Sequence, residues 1–277
     1  METPQGHDRK TLVCLNEFLG QVFFMYAVLV SVGSDSLYKG IVGPLALFAI
    51  VNIFGGISGG HFNPAVTLGV YVREAKWEKN FIMLITIIAS QISGAIIGML
   101  LASVVLRIEQ DGDYVILPAN IPLQLPSTIT KAAIDDGSLV LGETVTTFYM
   151  ETICTFVFVL FILHVTGSKT KAVDLGVWGV PGICLVLWAL CSVDYFNGAS
   201  FNPALAIGST VFQAWNYPNN PQGVLTYYLP LYVFGAATGG ILAGAYYSLH
   251  ASFFEENDNE DSQSESTNMS YQKRVHN

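Results

Sequence analysis

Six long apolar runs separated by short polar links dominate the chain. They are roughly Leu12–Val32, Ile41–Ile57, Phe81–Leu106, Thr147–Val165, Leu175–Val193 and Val224–His250. A helix needs about 20 largely apolar residues to cross a ~30 Å hydrocarbon core. Each run approaches that length, and the second is the shortest. Two further apolar stretches are much shorter, Pro64–Val72 and Pro203–Phe212. At ~1.5 Å per residue each covers about 14–15 Å, half of the core. The pattern predicts an all-α membrane protein of six transmembrane helices plus two half-helices.

The two short stretches carry an internal repeat. Phe62-Asn63-Pro64-Ala65-Val66-Thr67-Leu68-Gly69 returns as Phe201-Asn202-Pro203-Ala204-Leu205-Ala206-Ile207-Gly208, 139 positions later. Earlier in each half an acid stands inside an apolar run, Glu17 in one and Glu151 in the other. Each half therefore holds three spans and one half-span. Three is odd, so the second half must cross the bilayer inverted relative to the first. Inverted repeats with broken helices at the midplane are a transport architecture. A lone Asn-Pro would read as turn chemistry, but two copies in corresponding places do not. The domain reading is a short N-terminus (residues 1–11), a channel domain (12–250, with repeats of about 12–107 and 147–250) and a tail (251–277).

Composition agrees with the pattern. Only 12% of residues are charged and 52% are hydrophobic, with a mean hydropathy of +0.48. A soluble domain would carry about a quarter charged residues. The net charge of −9 excludes a nucleic-acid partner. Much of it comes from Glu255, Glu256, Asp258, Glu260, Asp261 and Glu265, in a hydrophilic tail that reads as disordered. Truncation after Phe254 is therefore expected to leave permeability per inserted channel unchanged. A large drop at equal surface expression would show that the tail supports or gates the pore. Cys14, Cys154, Cys184 and Cys191 lack metal spacing and read as small hydrophobes. No cofactor or metal is expected, and no nucleophile–base arrangement points to an enzyme.

Basic residues set the expected sidedness. Arg9, Lys10, Arg73, Lys76, Lys79, Lys169, Lys171, Lys273 and Arg274 fall on one face, against Lys39, Arg107 and Lys131 on the other. The positive-inside rule then makes both termini cytoplasmic. Plasma membrane and vacuolar membrane fit equally.

Asn is a strong N-cap and Pro suits the first helical position. Asn63 and Asn202 should each start a half-helix, entering from opposite faces and meeting near the membrane centre. Each helix start carries about +0.5 charge, so the pair acts on a cation like about one unit charge. At ~4 Å and an effective dielectric of ~20 the repulsion is about 4 kcal/mol. A neutral solute feels no such barrier, and the two side-chain amides can donate to it. Pro64, Ala65, Pro203 and Ala204 complete the pore motif. Glu17 and Glu151 are costly in a membrane and must find partners. They read either as a proton relay or as acceptors that hold the dipping loops. One acid per repeat favours the second reading, and His61 reads as a further loop-fixing group.

These residues resemble the aquaporin, or major intrinsic protein, family. The resemblance runs over about residues 12–250. It rests on the run from Ser58 to Thr67, the second Asn-Pro-Ala, Glu17 and Glu151, Gln91 with Gly94-Ala95, and the small residues between Gly235 and Gly244. It implies a homotetramer with one pore per subunit, embedded in a lipid bilayer. It also exposes a departure. The family usually carries Arg directly after the second Asn-Pro-Ala, where this chain has Leu205. The next place, Asp in glycerol facilitators, holds Ala206. By the same resemblance the other outer-filter positions fall at Gly43, Ala189 and Ala199, with Trp188 and Leu190 as alternatives to Ala189. The implied filter is small and apolar.

Three functions compete at this stage. The first is a passive channel for water and small neutral solutes such as glycerol or urea, excluding ions. The second is an adhesion or scaffold protein with a poorly conducting pore. The third is a proton-coupled transporter using Glu17 and Glu151.

Overall fold

The computed structural model describes residues 7–33, 39–110, 113–115, 141–167, 176–193, 200–216 and 228–253. Among these are eight α-helices. In chain order they are α1 (His7–Gly33), α2 (Lys39–Ser58), α3 (Pro64–Glu74), α4 (Trp77–Val105), α5 (Leu141–Thr166), α6 (Gly179–Val193), α7 (Pro203–Asn216) and α8 (Tyr228–Phe253). Five of them, α1, α2, α4, α5 and α8, are long and apolar enough to cross a membrane. The span predicted over Leu175–Val193 differs from expectation. Its α-helix has 15 residues and is preceded by a 3₁₀ turn over Gly176–Trp178. At ~1.5 and ~2.0 Å per residue the two together reach about 28 Å, so the tighter turn makes up the missing length. The acidic Glu255–Glu265 segment and most of the loop before α5 lie outside the described residues. At the start of that loop is a small antiparallel pair, β1 (Ile108–Gln110) and β2 (Asp113–Val115), which the apolar pattern did not announce.

The distribution of side chains is that of a lipid-embedded molecule. Ile82 and Val104 are each 71% exposed on the outside, while Glu17, Gln21, Gln91 and Glu151 are fully buried. Apolar surface faces outward and polar groups face the bundle interior, where intramembrane ionisable residues belong.

Pairing of spans follows the repeat. α1 packs against α4 in the first half and α5 against α8 in the second, with no space between backbones for a side chain. A Cβ on Gly94 would lie 2.4 Å from the carbonyl oxygen of Phe18, and one on Gly239 would lie 2.4 Å from that of Thr152. Lipid tails give helices no hydrophobic reason to associate, so close backbone approach through small residues supplies the packing. The half-helices then cross over. α3 lies on α8, with Ala65 against Gly240, and α7 lies on α4, with Gly208 against Ala95. Each repeat thus holds the other's half-helix, which brings the starts of α3 and α7 together.

Candidate pore and filter

The starts of α3 and α7 are built alike. The carbonyl oxygen of the Asn63 side chain accepts from the Ala65 N–H at 2.8 Å, from an extended backbone (φ −163°, ψ 119°). That of Asn202 accepts from Ala204 N–H at 3.0 Å and Leu205 N–H at 3.4 Å. Pro64 and Pro203 follow, each missing an N–H that would have had no helical partner. With each Oδ1 committed to its own helix, the amide nitrogen is free to donate outward. Asn63 Nδ2 donates to the Phe201 carbonyl at 2.8 Å, and Asn202 Nδ2 donates to the Phe62 carbonyl at 2.9 Å. The two motifs are therefore bonded crosswise. An amide has two N–H groups. One from each Asn crosses to the other repeat, and both residues line the lumen. The sequence reading had both amides able to donate into the lumen and did not foresee the bond between the repeats. One donor of each amide goes to the opposite loop, which leaves one for the lumen.

The crosswise bond depends on Phe62 and Phe201, whose backbones are left-handed (φ 44° and φ 48°). That region is unfavourable for a bulky L-residue and costs of order 1–3 kcal/mol. Both ends of each peptide unit are fixed. The carbonyls accept from the opposite Asn, and the N–H groups donate to a buried acid. Glu17 takes the N–H of His61 at 3.0 Å and of Phe62 at 2.7 Å, and also Gln91 Nε2 at 2.8 Å. Glu151 takes the N–H of Ser200 at 2.9 Å and of Phe201 at 2.8 Å. Both acids are fully buried, and neither lines the lumen.

His61 does line the lumen, and its ring is oriented from behind. The Thr67 hydroxyl donates to the Asn63 carbonyl at 3.0 Å and accepts from Gln91 Nε2 at 2.9 Å. With its single hydrogen spent, Thr67 Oγ1 can only accept from His61 Nδ1 at 3.2 Å. The neutral ring therefore carries its hydrogen on Nδ1 and offers Nε2 as an acceptor.

The lumen is a cavity of about 380 Å³. Its wall repeats across the two halves. Phe24, Val28 and Ser31 of α1 correspond to Phe158, Ile162 and Val165 of α5, at the spacing that separates Glu17 from Glu151. A second cavity of about 550 Å³ shares Gly59, Gly60, His61, Ile162 and Thr166 with it and reaches Arg73 and Glu74. No Asp, Glu, Lys or Arg lines the first cavity among the described residues.

Of the filter positions named from sequence, Gly43 and Leu205 line the lumen. Ala199 lies outside the described residues. Ala189 is corrected: it is exposed on α6, and neither it, Trp188 nor Leu190 touches the cavity. Ile183, Leu187 and Cys191 do, one helical turn apart, so they share the inward face. That four-residue rhythm from Ile183 was the available signal. Pro44 was also missed. It lines the lumen inside α2 and leaves the Gly40 carbonyl without its helical donor, beside the same opening.

Comparison with known proteins agrees with this geometry. The family model described as Major intrinsic protein matches residues 8–247. A glycerol uptake facilitator protein-like 6 of Lactiplantibacillus plantarum is 28% identical over 232 residues, covering 83% of this chain and 93% of that one. Aquaporin-4 of Notomys alexis is 30% identical over 251 residues, and the match covers 83% of this chain but 64% of the relative's length. Among solved structures, an aquaglyceroporin from Plasmodium falciparum superposes with a TM-score of 0.66 at 18% identity, covering 86% of this chain and 96% of that one. The last likeness speaks to fold alone.

Proposed function

Since the chain belongs to the major intrinsic protein family, we propose that it is a passive transmembrane channel for water and small neutral solutes, glycerol and urea included, and that it excludes ions. The observation that carries the reading is the crosswise pairing of Asn63 and Asn202 at the wall of a lumen with no charged side chain among the described residues. A solute there meets one amide N–H from each Asn and a stack of apolar wall. Such a path suits molecules that need few hydrogen bonds replaced.

Ions are opposed without a charged filter. The N-termini of α3 and α7 both point at the Asn pair, so their partial positive charges add. Stripping water from an ion in an apolar lumen costs more still. With Leu205 where the family resemblance implies Arg, the half-helix ends carry most of the cation barrier. Gly43, Leu205 and the α6 face give the filter an apolar lining with no side chain at Gly43, which is why larger neutral solutes belong in the proposal.

Glu17 and Glu151 act as loop anchors. Both oxygens of each accept backbone N–H groups away from the lumen, which argues against a proton relay. The cavity favours conduction over an adhesion role. We further propose a homotetramer with both termini cytoplasmic, on the basic-residue bias and the family's habit.

The test is stopped-flow light scattering on proteoliposomes of the full chain. Water, glycerol and urea are each expected to equilibrate well faster than in empty liposomes. A pH-sensitive dye inside should report no added proton entry. Water-only conduction would overturn the wide filter, and no conduction at all would overturn the channel.

A further inference from the structure

The first turn of α2 carries a backbone group that its own helix cannot satisfy. In an α-helix each carbonyl accepts from the N–H four positions on, and Pro44 has no N–H to give to Gly40. Gly40, Gly43, Pro44, Leu47 and Val51 all line the lumen, so they mark the face of α2 turned to solute. A helical carbonyl points along the axis toward its donor. The Gly40 carbonyl therefore lies on that face, between two lumen-lining residues one turn apart. Neither Gly40 nor Gly43 has a side chain to screen it. Among the described residues, a Cβ added at Gly40 would meet no atom within 4 Å, and one at Gly43 would meet Val28 Cγ2 at 3.7 Å.

That contact fixes the depth of a second acceptor. Ser31 follows Val28 on α1 by three residues, and Gly40 precedes Gly43 on α2 by three. Consecutive spans run in opposite directions, so both residues are displaced the same way, by about 4.5 Å. The Ser31 hydroxyl lines the lumen and gives its hydrogen to the Val28 carbonyl at 2.7 Å. Toward the lumen it can offer only lone pairs. The filter side chains Leu187, Cys191 and Leu205 bring a weak thiol donor and no strong hydrogen-bonding group.

We propose that the Gly40 carbonyl and the Ser31 hydroxyl form an acceptor pair beside the filter, a subsite for small neutral solutes that donate hydrogen bonds, the amide N–H groups of urea above all. The proposal rests on the channel reading above and adds the basis of a solute preference. Urea leaving bulk water for an apolar opening loses partners for its N–H groups, and unpaired donors are costly there. An acceptor pair at the mouth replaces part of that loss. Further in, the amides of Asn63 and Asn202 are donors and serve the carbonyl of urea instead. Where the family resemblance implies a guanidinium, with donors only, this mouth presents acceptors.

The experiment measures urea and water flux through the full chain in proteoliposomes, read as the urea-to-water permeability ratio. Pro44→Ala and Pro44→Val both restore an N–H to the Gly40 carbonyl, yet Ala is smaller than Pro and Val is larger. Both are expected to lower the ratio about two- to tenfold, the range of one net hydrogen bond. Ser31→Ala should act in the same direction. Control by size alone predicts a rise with Ala and a fall with Val. That divergence, or an unchanged ratio in all three variants, would overturn the subsite. The wild type separates this from the channel reading: water flux without urea flux overturns the subsite and leaves the channel standing, and flux of neither overturns both. Should the Pro44 variants fail to insert, Ser31→Ala decides it: a lowered ratio supports the subsite and an unchanged one overturns it.

Discussion

Leu205→Arg is expected to cut glycerol and urea flux at least about tenfold while lowering water flux far less, a selective barrier of ~1.4 kcal/mol or more. Leu205 stands one residue beyond the second Asn-Pro-Ala, and its N–H shares the Asn202 side-chain oxygen at 3.4 Å. Its side chain lines the lumen together with Gly43, which has no side chain, and with Leu187 and Cys191 of α6. Arg is longer and brings five donors and a permanent charge. Both changes act on the same opening. Length narrows the path for anything larger than water, and charge strengthens the repulsion of cations already begun by the half-helix ends. Water loses little, because it can accept from the new guanidinium. Leu205→Met serves as the control, since it nearly conserves volume and apolar character. It should leave the glycerol-to-water ratio near wild type. Stopped-flow rates normalised to inserted protein check both. Equal losses of water and glycerol in the Arg variant would mean that the pore had collapsed, or that selection happens elsewhere.

The half-helices were the most legible part of this molecule, and the reason is chemical. Asn followed by Pro can cap and start a helix whatever surrounds it, so Asn63 and Asn202 announced α3 and α7 from local residues alone. The loop before each Asn was not legible. Glycine is the usual occupant of left-handed backbone, so attention fell on the glycines of the loops. Two of them, Gly59 and Gly60, do take positive φ, but so do Phe62 and Phe201. Their conformation is held by Glu17, Glu151 and the opposite Asn, which are tens to more than a hundred residues away. No local propensity encodes that.

The lumen face of α6 was hidden for a different reason. Its residues are apolar on every side, so the pattern cannot separate a face that meets solute from one that meets lipid. Leu187 and Ala189 differ by two positions, about 200° around a helix of 3.6 residues per turn. One lines the pore and the other is exposed outside. Trp188 and Leu190, the neighbouring alternatives, miss the cavity as well, since only the phase of Ile183, Leu187 and Cys191 faces it. The 3.1 Å hydrogen bond between the rings of His164 and His250 was invisible on similar grounds, since 86 positions separate the two residues and neither stands in a motif.

Glu151→Gln is expected to lower Tm by roughly 5–15 °C and to abolish most conduction. Glu151 is fully buried, and its two oxygens accept the N–H groups of Ser200 and Phe201 at 2.9 and 2.8 Å. Gln keeps the shape but offers only one oxygen. Its NH₂ group would face a backbone N–H, donor against donor, in a place water does not reach. Losing a charge-assisted bond costs about 1.5–3 kcal/mol, and an unsatisfied buried donor about 1–3 more. The strained Phe201 backbone, at φ 48°, would then lack one of the two bonds that hold it. As the loop relaxes, the Phe201 carbonyl leaves Asn63 Nδ2, and the crosswise pair that defines the pore comes apart. Glu151→Asp gives a second point on the same argument: it keeps the charge but is one methylene too short, so its loss in Tm should be smaller than that of Gln. Thermal unfolding in detergent and water flux per inserted channel measure both effects. A Gln variant with unchanged Tm and full water flux, but with altered response to a proton gradient, would reverse the assignment and return Glu151 to a proton-carrying role.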